Sequence, residues 1–96
     1  MALIAEATVD AYNESEKRMG FYTMFEEHLD MPFDATILGA SVIVDRVDLA
    51  DDGQIVAVCR RGRSKQAVSI LELPLPTPRP AGAEWIDAYR LWSKPR

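Results

Sequence analysis

The 96-residue chain predicts an α+β fold: N-terminal helices, a small antiparallel sheet that is either an SH3-like barrel or a curved sheet, and a short C-terminal helix. Three observations carry that prediction. Residues 1–31 contain no proline and are rich in Ala and Glu, both good helix formers. Residues 33–73 are rich in β-branched side chains and are broken by glycine-bearing turns. After alternating prolines, Trp85, Ile86, Tyr89 and Trp92 recur at helical spacing. The length suits one domain over residues 1–96, with a real but small core.

The helical part divides in two. Asn13 with Glu16, and Thr23 with Glu26, have the spacing of an N-terminal cap. Gly20 is the expected break or bend between the pieces. In the second piece Phe21, Met24, Phe25 and Leu29 form one apolar stripe. Pro32 ends it. Strands are then expected over 33–38, 41–49, 54–59 and 65–73, with turns at Asp51-Asp52-Gly53 and Arg61-Gly62-Arg63-Ser64. Apolar residues on both faces of the 54–59 run suit a tightly curved small sheet or a barrel more than a one-sided ribbon. Pro74, Pro76, Pro78 and Pro80 make 74–82 a stiff extended linker. Residues 83–93 follow as a helix that docks its aromatic side.

Charge is distributed unevenly. Residues 1–52 carry 12 acids against 3 bases, and residues 53–96 carry 3 acids against 8 bases. Such asymmetry speaks about partners rather than fold. The acidic half suits cations or basic surfaces, and the basic half suits anions or acidic ones.

Several classes of chemistry lack their residues. With one histidine, His28, and one cysteine, Cys59, there is no zinc-spaced cluster, and a nucleophile–histidine arrangement would rest on His28 alone. His28 reads as a partly exposed helix residue and Cys59 as a small strand hydrophobe. No glycine loop has phosphate-cradling spacing. The chain is therefore expected to be non-catalytic. No apolar run approaches a membrane span. The opening residues do not form a secretory signal, and a lone cysteine forms no internal disulfide, so a reducing cytoplasm is the expected location.

Carboxylates are abundant and ordered. Glu6, Asp10 and Glu14 fall four apart, as do Glu26 and Asp30; Glu27 and Asp30 are three apart; Asp34 follows the Pro32 turn. Each like-charge pair on a helix costs about 0.2–0.5 kcal/mol. Such pairs either face water or gather around a cation. Calcium is the cation that suits them, since it takes about 6–8 oxygen ligands and needs neither histidine nor thiolate. An EF-hand is excluded: a loop begun at Asp48 places Ala50 at its third position and Cys59 at its twelfth, where a bidentate glutamate belongs.

The order of the motifs is familiar. Val9-Asp10-Ala11-Tyr12, Glu14, Glu16, Met19-Gly20-Phe21-Tyr22, Glu26-Glu27, Leu29 and Pro32-Phe33-Asp34-Ala35 resemble the N-terminal signature of the cyanobacterial-type CcbP calcium-binding family. Val42-Ile43-Val44 through Ala50, Gly62-Arg63, Ala67-Val68 and Leu71-Glu72-Leu73 continue the likeness, which covers about residues 5–75. Phe21 stands where the family usually has tryptophan. The resemblance implies a small bacterial, non-EF-hand protein that buffers or senses cytoplasmic Ca2+ through surface carboxylates. It makes Asp10, Glu14, Glu26, Glu27, Asp30 and Asp34 the candidate metal ligands.

The alternative is a non-catalytic interaction module. Arg60, Arg61, Arg63 and Lys65 crowd one predicted hairpin tip, where they suit a protein partner. Nucleic acid is disfavoured by the net charge of −4 and by the absence of aromatics on that hairpin. The opposed charge halves and the Trp85/Trp92 tail also suggest self-association, with a dimer as its simplest form.

Overall fold

The structure, a computed structural model, describes residues 2–9 and 13–94. Two helices, α1 (Ala2–Ala7) and α2 (Glu14–His28), precede strands β1 (Phe33–Ile37), β2 (Ala40–Leu49), β3 (Ile55–Arg61) and β4 (Ser64–Ser69). Helix α3 (Ala83–Ser93) follows. The strands form an antiparallel meander in the order β1-β2-β3-β4. No pairing joins β1 to β4, so the sheet is open, and the barrel form of the expectation is not adopted. Helices rather than further strand pairing cover its apolar face. Ala35, Val42, Val44, Val47, Ile55, Ala57 and Cys59 line that face and join Phe21, Phe25, Ile86 and Tyr89 in the core. A bulge between Val44 and Arg46 shifts the β2 register, which keeps both Val44 and Val47 buried despite their odd spacing.

The helical break lies elsewhere than Gly20. Helix α2 runs straight through Gly20, and the chain instead leaves helix after Ala7. The Asn13 side chain then caps α2 by accepting the Glu16 backbone N–H at 2.8 Å. Gly20 has a packing reason. A Cβ there would collide with the Ala7 backbone carbonyl, so glycine permits α1 to lie against α2.

The expected strand over 65–73 stops at Ser69. The Ile70 amide still donates to the Ile55 carbonyl at 3.1 Å, but the next residues turn. Ile70 and Leu73 are buried, and the Arg90 guanidinium donates to both of their carbonyls. A long basic side chain from α3 thus supplies donors to carbonyls that the turning backbone leaves without them.

The proline segment returns α3 to its own chain. The Asp30 amide donates to the Ala81 carbonyl at 2.8 Å, and Arg79 pairs with Asp87 at 2.8 Å. Gly82 adopts φ +88°, and a Cβ on it would strike the His28 carbonyl. Tyr89 packs edge-on to Phe21 and Phe25, with ring centroids 5.2 and 5.7 Å apart. Trp85 is buried and stacks on His28 at 5.2 Å. Of the Trp85/Trp92 pair from which self-association was expected, Trp85 is thus covered within its own chain and Trp92 is half-buried.

Gly20→Ala inverts a propensity rule. In an exposed helix interior alanine gains about 0.5–1 kcal/mol over glycine. Here overpacking against backbone wins, and a loss of about 1–3 kcal/mol is expected in urea denaturation. A more stable variant would show that α1 does not press on α2.

Candidate metal centre

The candidate ligands occupy three kinds of position. Glu14, Glu26 and Glu27 lie on α2 with their side chains exposed. Asp30 lies past the α2 C-cap, Leu29, which is extended at φ −77° and ψ 121°. The helical spacing expected of Glu26, Glu27 and Asp30 is lost there, because the Ala81 contact and Pro32 take the chain off the helix axis. Asp34 lies on β1 and is exposed beside the buried Ala35. Asp10 lies outside the described residues. The expected stripe of Glu6, Asp10 and Glu14 is interrupted, since Glu6 belongs to α1 and Glu14 opens α2. Among the described residues, no group of three His, Cys, Asp or Glu side chains is close enough to hold a metal ion.

Among the described residues Glu26, one of the expected ligands, shares a cleft with Asp48, which was not expected. Glu26 on α2 and Asp48 on β2 line a shallow cleft of about 420 Å³ with Tyr22, Met31, Arg46 and Val47. The Tyr22 phenol reports on both. Burial raises its pKa first, and the charges of Glu26 and Asp48 raise it further, with Glu26 also facing the hydroxyl as an acceptor. Arg46, 3.9 Å from Asp48, works in the opposite direction. The bulge in β2 helps to create this arrangement, because it leaves Arg46 and Asp48 exposed on either side of the buried Val47. Tyr22 sits inside the recognised Met19-Gly20-Phe21-Tyr22 run, but nothing in the sequence connects it to Asp48.

The turn carboxylates have local work. Asp52 accepts the Gln54 amide at 3.0 Å, and Asp48 accepts the Leu49 amide at 2.8 Å through its Oδ1. The Arg46 guanidinium and the Met31 thioether help to line the Glu26–Asp48 cleft, while Glu26, Asp48 and Tyr22 offer it oxygens, the chemistry a hard cation such as calcium takes. Two carboxylates and a phenol are fewer than its usual oxygen count.

The basic tip is divided. Arg60 makes a two-pronged contact with Asp45, at 3.0 and 3.3 Å, and this hydrogen bonding holds the Asp45 carboxyl below its usual range. Arg61, Arg63 and Lys65 are exposed and have no ion pair among the described residues. Arg61 and Lys65 border an apolar cleft of about 360 Å³, floored by Val42 and Cys59 and flanked by Ile37 and the fully exposed Leu38. Burial, then the Asp45 charge, pushes the Cys59 thiol up, which suits a packing residue rather than a nucleophile.

An open antiparallel sheet braced by helices, with a cleft between α2 and β2 that two carboxylates line, defines a small α+β protein. The chain belongs to the CcbP calcium-binding family: the family model, described as calcium binding, matches residues 2–93. That span extends past the recognised motifs to include the proline segment and α3. No curated protein and no solved structure gave a match.

Two titrations test these electrostatics. The Tyr22 phenol should ionise above the ordinary tyrosine value of about 10, as followed by ultraviolet difference spectra against Tyr22→Phe. Glu26→Gln and Asp48→Asn should each lower its midpoint, and an unmoved midpoint would separate these groups. For Asp45, a depressed folded pKa contributes stability above the unfolded value of about 3.9 that is lost as pH falls through the folded value. The stability gap between wild type and Asp45→Asn should therefore be present at neutral pH and close in strong acid, as read by urea midpoints.

Proposed function

We propose that the chain binds Ca2+ reversibly as a cytoplasmic buffer or sensor, with the cleft between Glu26 and Asp48 as the centre of the site. The observation that carries this reading is the calcium-binding family match over nearly the whole chain. The cleft supports it locally. Two carboxylates from different elements face one phenol, and Arg46 beside Asp48 supplies positive charge that a divalent ion would supplement or replace. Glu27, Asp30 and Asp34 follow along the same stretch of chain, and Asp10 and Glu14 complete the acidic set proposed to attract the ion. Water and backbone oxygens complete a coordination sphere that side chains leave short. The role is non-catalytic: the bound ion is the cargo.

The interaction-module alternative draws on Arg61, Arg63 and Lys65, which make no close ion pair among the described residues, and on the apolar cleft that Arg61 and Lys65 border. Its occupant would be an acidic protein segment, and it places nothing at Glu26.

Calcium titration calorimetry in resin-treated, low-salt buffer tests the first reading. Saturable heat is expected, with thermal stabilisation of about 2.7 kcal/mol at a hundredfold excess over Kd. Glu26→Gln with Asp48→Asn should weaken binding by roughly tenfold or more, in line with the loss of charged ligands. Neutralising Glu27, Asp30 and Asp34 together should weaken it less, and neutralising Arg61, Arg63 and Lys65 should not weaken it. Heat equal to buffer dilution with an unmoved melting curve would overturn the function. Full affinity in the Glu26/Asp48 variant would overturn the site. Exposure of dye-binding apolar surface on calcium addition would mark a sensor; its absence, a buffer.

A further inference from the structure

Toward the N-terminal end of α2, away from the Glu26–Asp48 cleft but beside Glu14, three cations line one cavity. Lys17 and Arg18 come from the start of α2, and Lys94 from the end of α3. Gln54, Ser93, Leu71, Trp92 and Glu14 complete the lining of a space of about 540 Å³. In an acidic protein this is an unusual gathering: three bases against one acid give the lining a net charge of +2. None of the three bases makes an ion pair with a described acid.

A second, independent observation comes from Arg18. Its Nε is buried yet has no hydrogen-bond acceptor. A buried donor left without a partner costs about 1–3 kcal/mol, more when it belongs to a charged group. The guanidinium reaches from α2 toward the turn at Gly53, so α2, α3 and the β2–β3 turn all contribute to the cavity. The Nε itself is covered by protein, so the outer end of the guanidinium is what faces the cavity, and beside two further cations it lacks a counter-charge that an oxyanion would supply.

We propose that this cavity binds a phosphate group, with Arg18 as its principal donor and Lys17 and Lys94 as its supporting charges. Charge selects the ligand class: a phosphate monoester carries about −1.5 to −2 at neutral pH, matching the lining. The guanidinium fork presents paired N–H donors to phosphate oxygens. Gln54 and Ser93 add neutral hydrogen-bonding capacity. Leu71 and Trp92 form an apolar wall on which the organic part of a phosphate ester can rest.

This inference does not rest on the calcium reading, and its test is kept free of metal. The full chain, labelled with nitrogen-15 in resin-treated buffer, is titrated with inorganic phosphate and, separately, with adenosine monophosphate. Sodium chloride at matched ionic strength is the control. Saturable shifts are expected at the Arg18 Nε–H, the Gln54 side-chain amide and the Trp92 indole N–H. Arg18→Gln should weaken binding by roughly tenfold and Lys94→Gln by several-fold, as expected for charge-assisted hydrogen bonds. Lys94 is exposed, so its variant is expected to fold even if the Arg18 variant does not. Arg63→Gln, at the distant hairpin tip, should leave affinity unchanged. Tighter binding of the nucleotide than of inorganic phosphate identifies an organic phosphate as the source, and equal affinity identifies free phosphate. Shifts that chloride reproduces, or an Arg63 variant that weakens binding as much as Lys94→Gln, would overturn the proposal.

Discussion

The contact between α2 and α3 is the constraint on which the remaining structure depends. Gly82 meets the His28 carbonyl, and Tyr89 wedges edge-on against Phe21 and Phe25. Aromatic pairs in this geometry contribute about 0.5–1.5 kcal/mol beyond the area they bury. Backbone approach and ring packing thus reinforce each other at one seam. Arg90 extends the seam to the sheet by donating to the Ile70 and Leu73 carbonyls. A four-stranded open sheet has one apolar face to cover, and this helical layer supplies the cover. Closure into a barrel is unnecessary once the helices occupy that face.

The same seam organises charge. It holds α2 with Tyr22 and Glu26 toward the end of β2, where Arg46 and Asp48 project. At the other end of α2, Lys17 and Arg18 meet the end of α3 and the β2–β3 turn. One helix therefore contributes to an acidic cleft at one end and a basic cavity at the other. The large opposed charges of the two sequence halves do not simply become two opposed faces. Arg60 is absorbed by Asp45, and Arg79 by Asp87, while the cations at the hairpin tip and around the basic cavity lack such partners among the described residues.

Membership of a calcium-binding family and the limited convergence of side-chain ligands are compatible in physical terms. A reversible ion-binding site gains from carboxylates that repel each other when the ion is absent, provided that they remain hydrated. At the proposed site, Glu26 and Asp48 fit that condition: both are exposed, and they come from elements whose relative position is set by the core rather than by the acids themselves. The energetic penalty of holding the charges near each other is thereby borne by apolar packing elsewhere.

Much of the secondary structure was legible from local chemistry. The Asn13 cap, the aromatic stripe of α2, the glycine turns and the helix after the prolines each follow from interactions within a few residues, and the order of motifs identified the family. The role of Gly20, the early end of β4 and the place of Asp30 off the helix were not legible, because each involves a group distant in sequence: the Ala7 carbonyl, the Arg90 guanidinium and the Ala81 carbonyl. The meeting of Glu26 with Asp48, and of Arg18 with Lys94, lies further beyond the sequence. A one-residue bulge and the docking of α3 decide them, and side-chain charges act over distances that only the folded chain makes short.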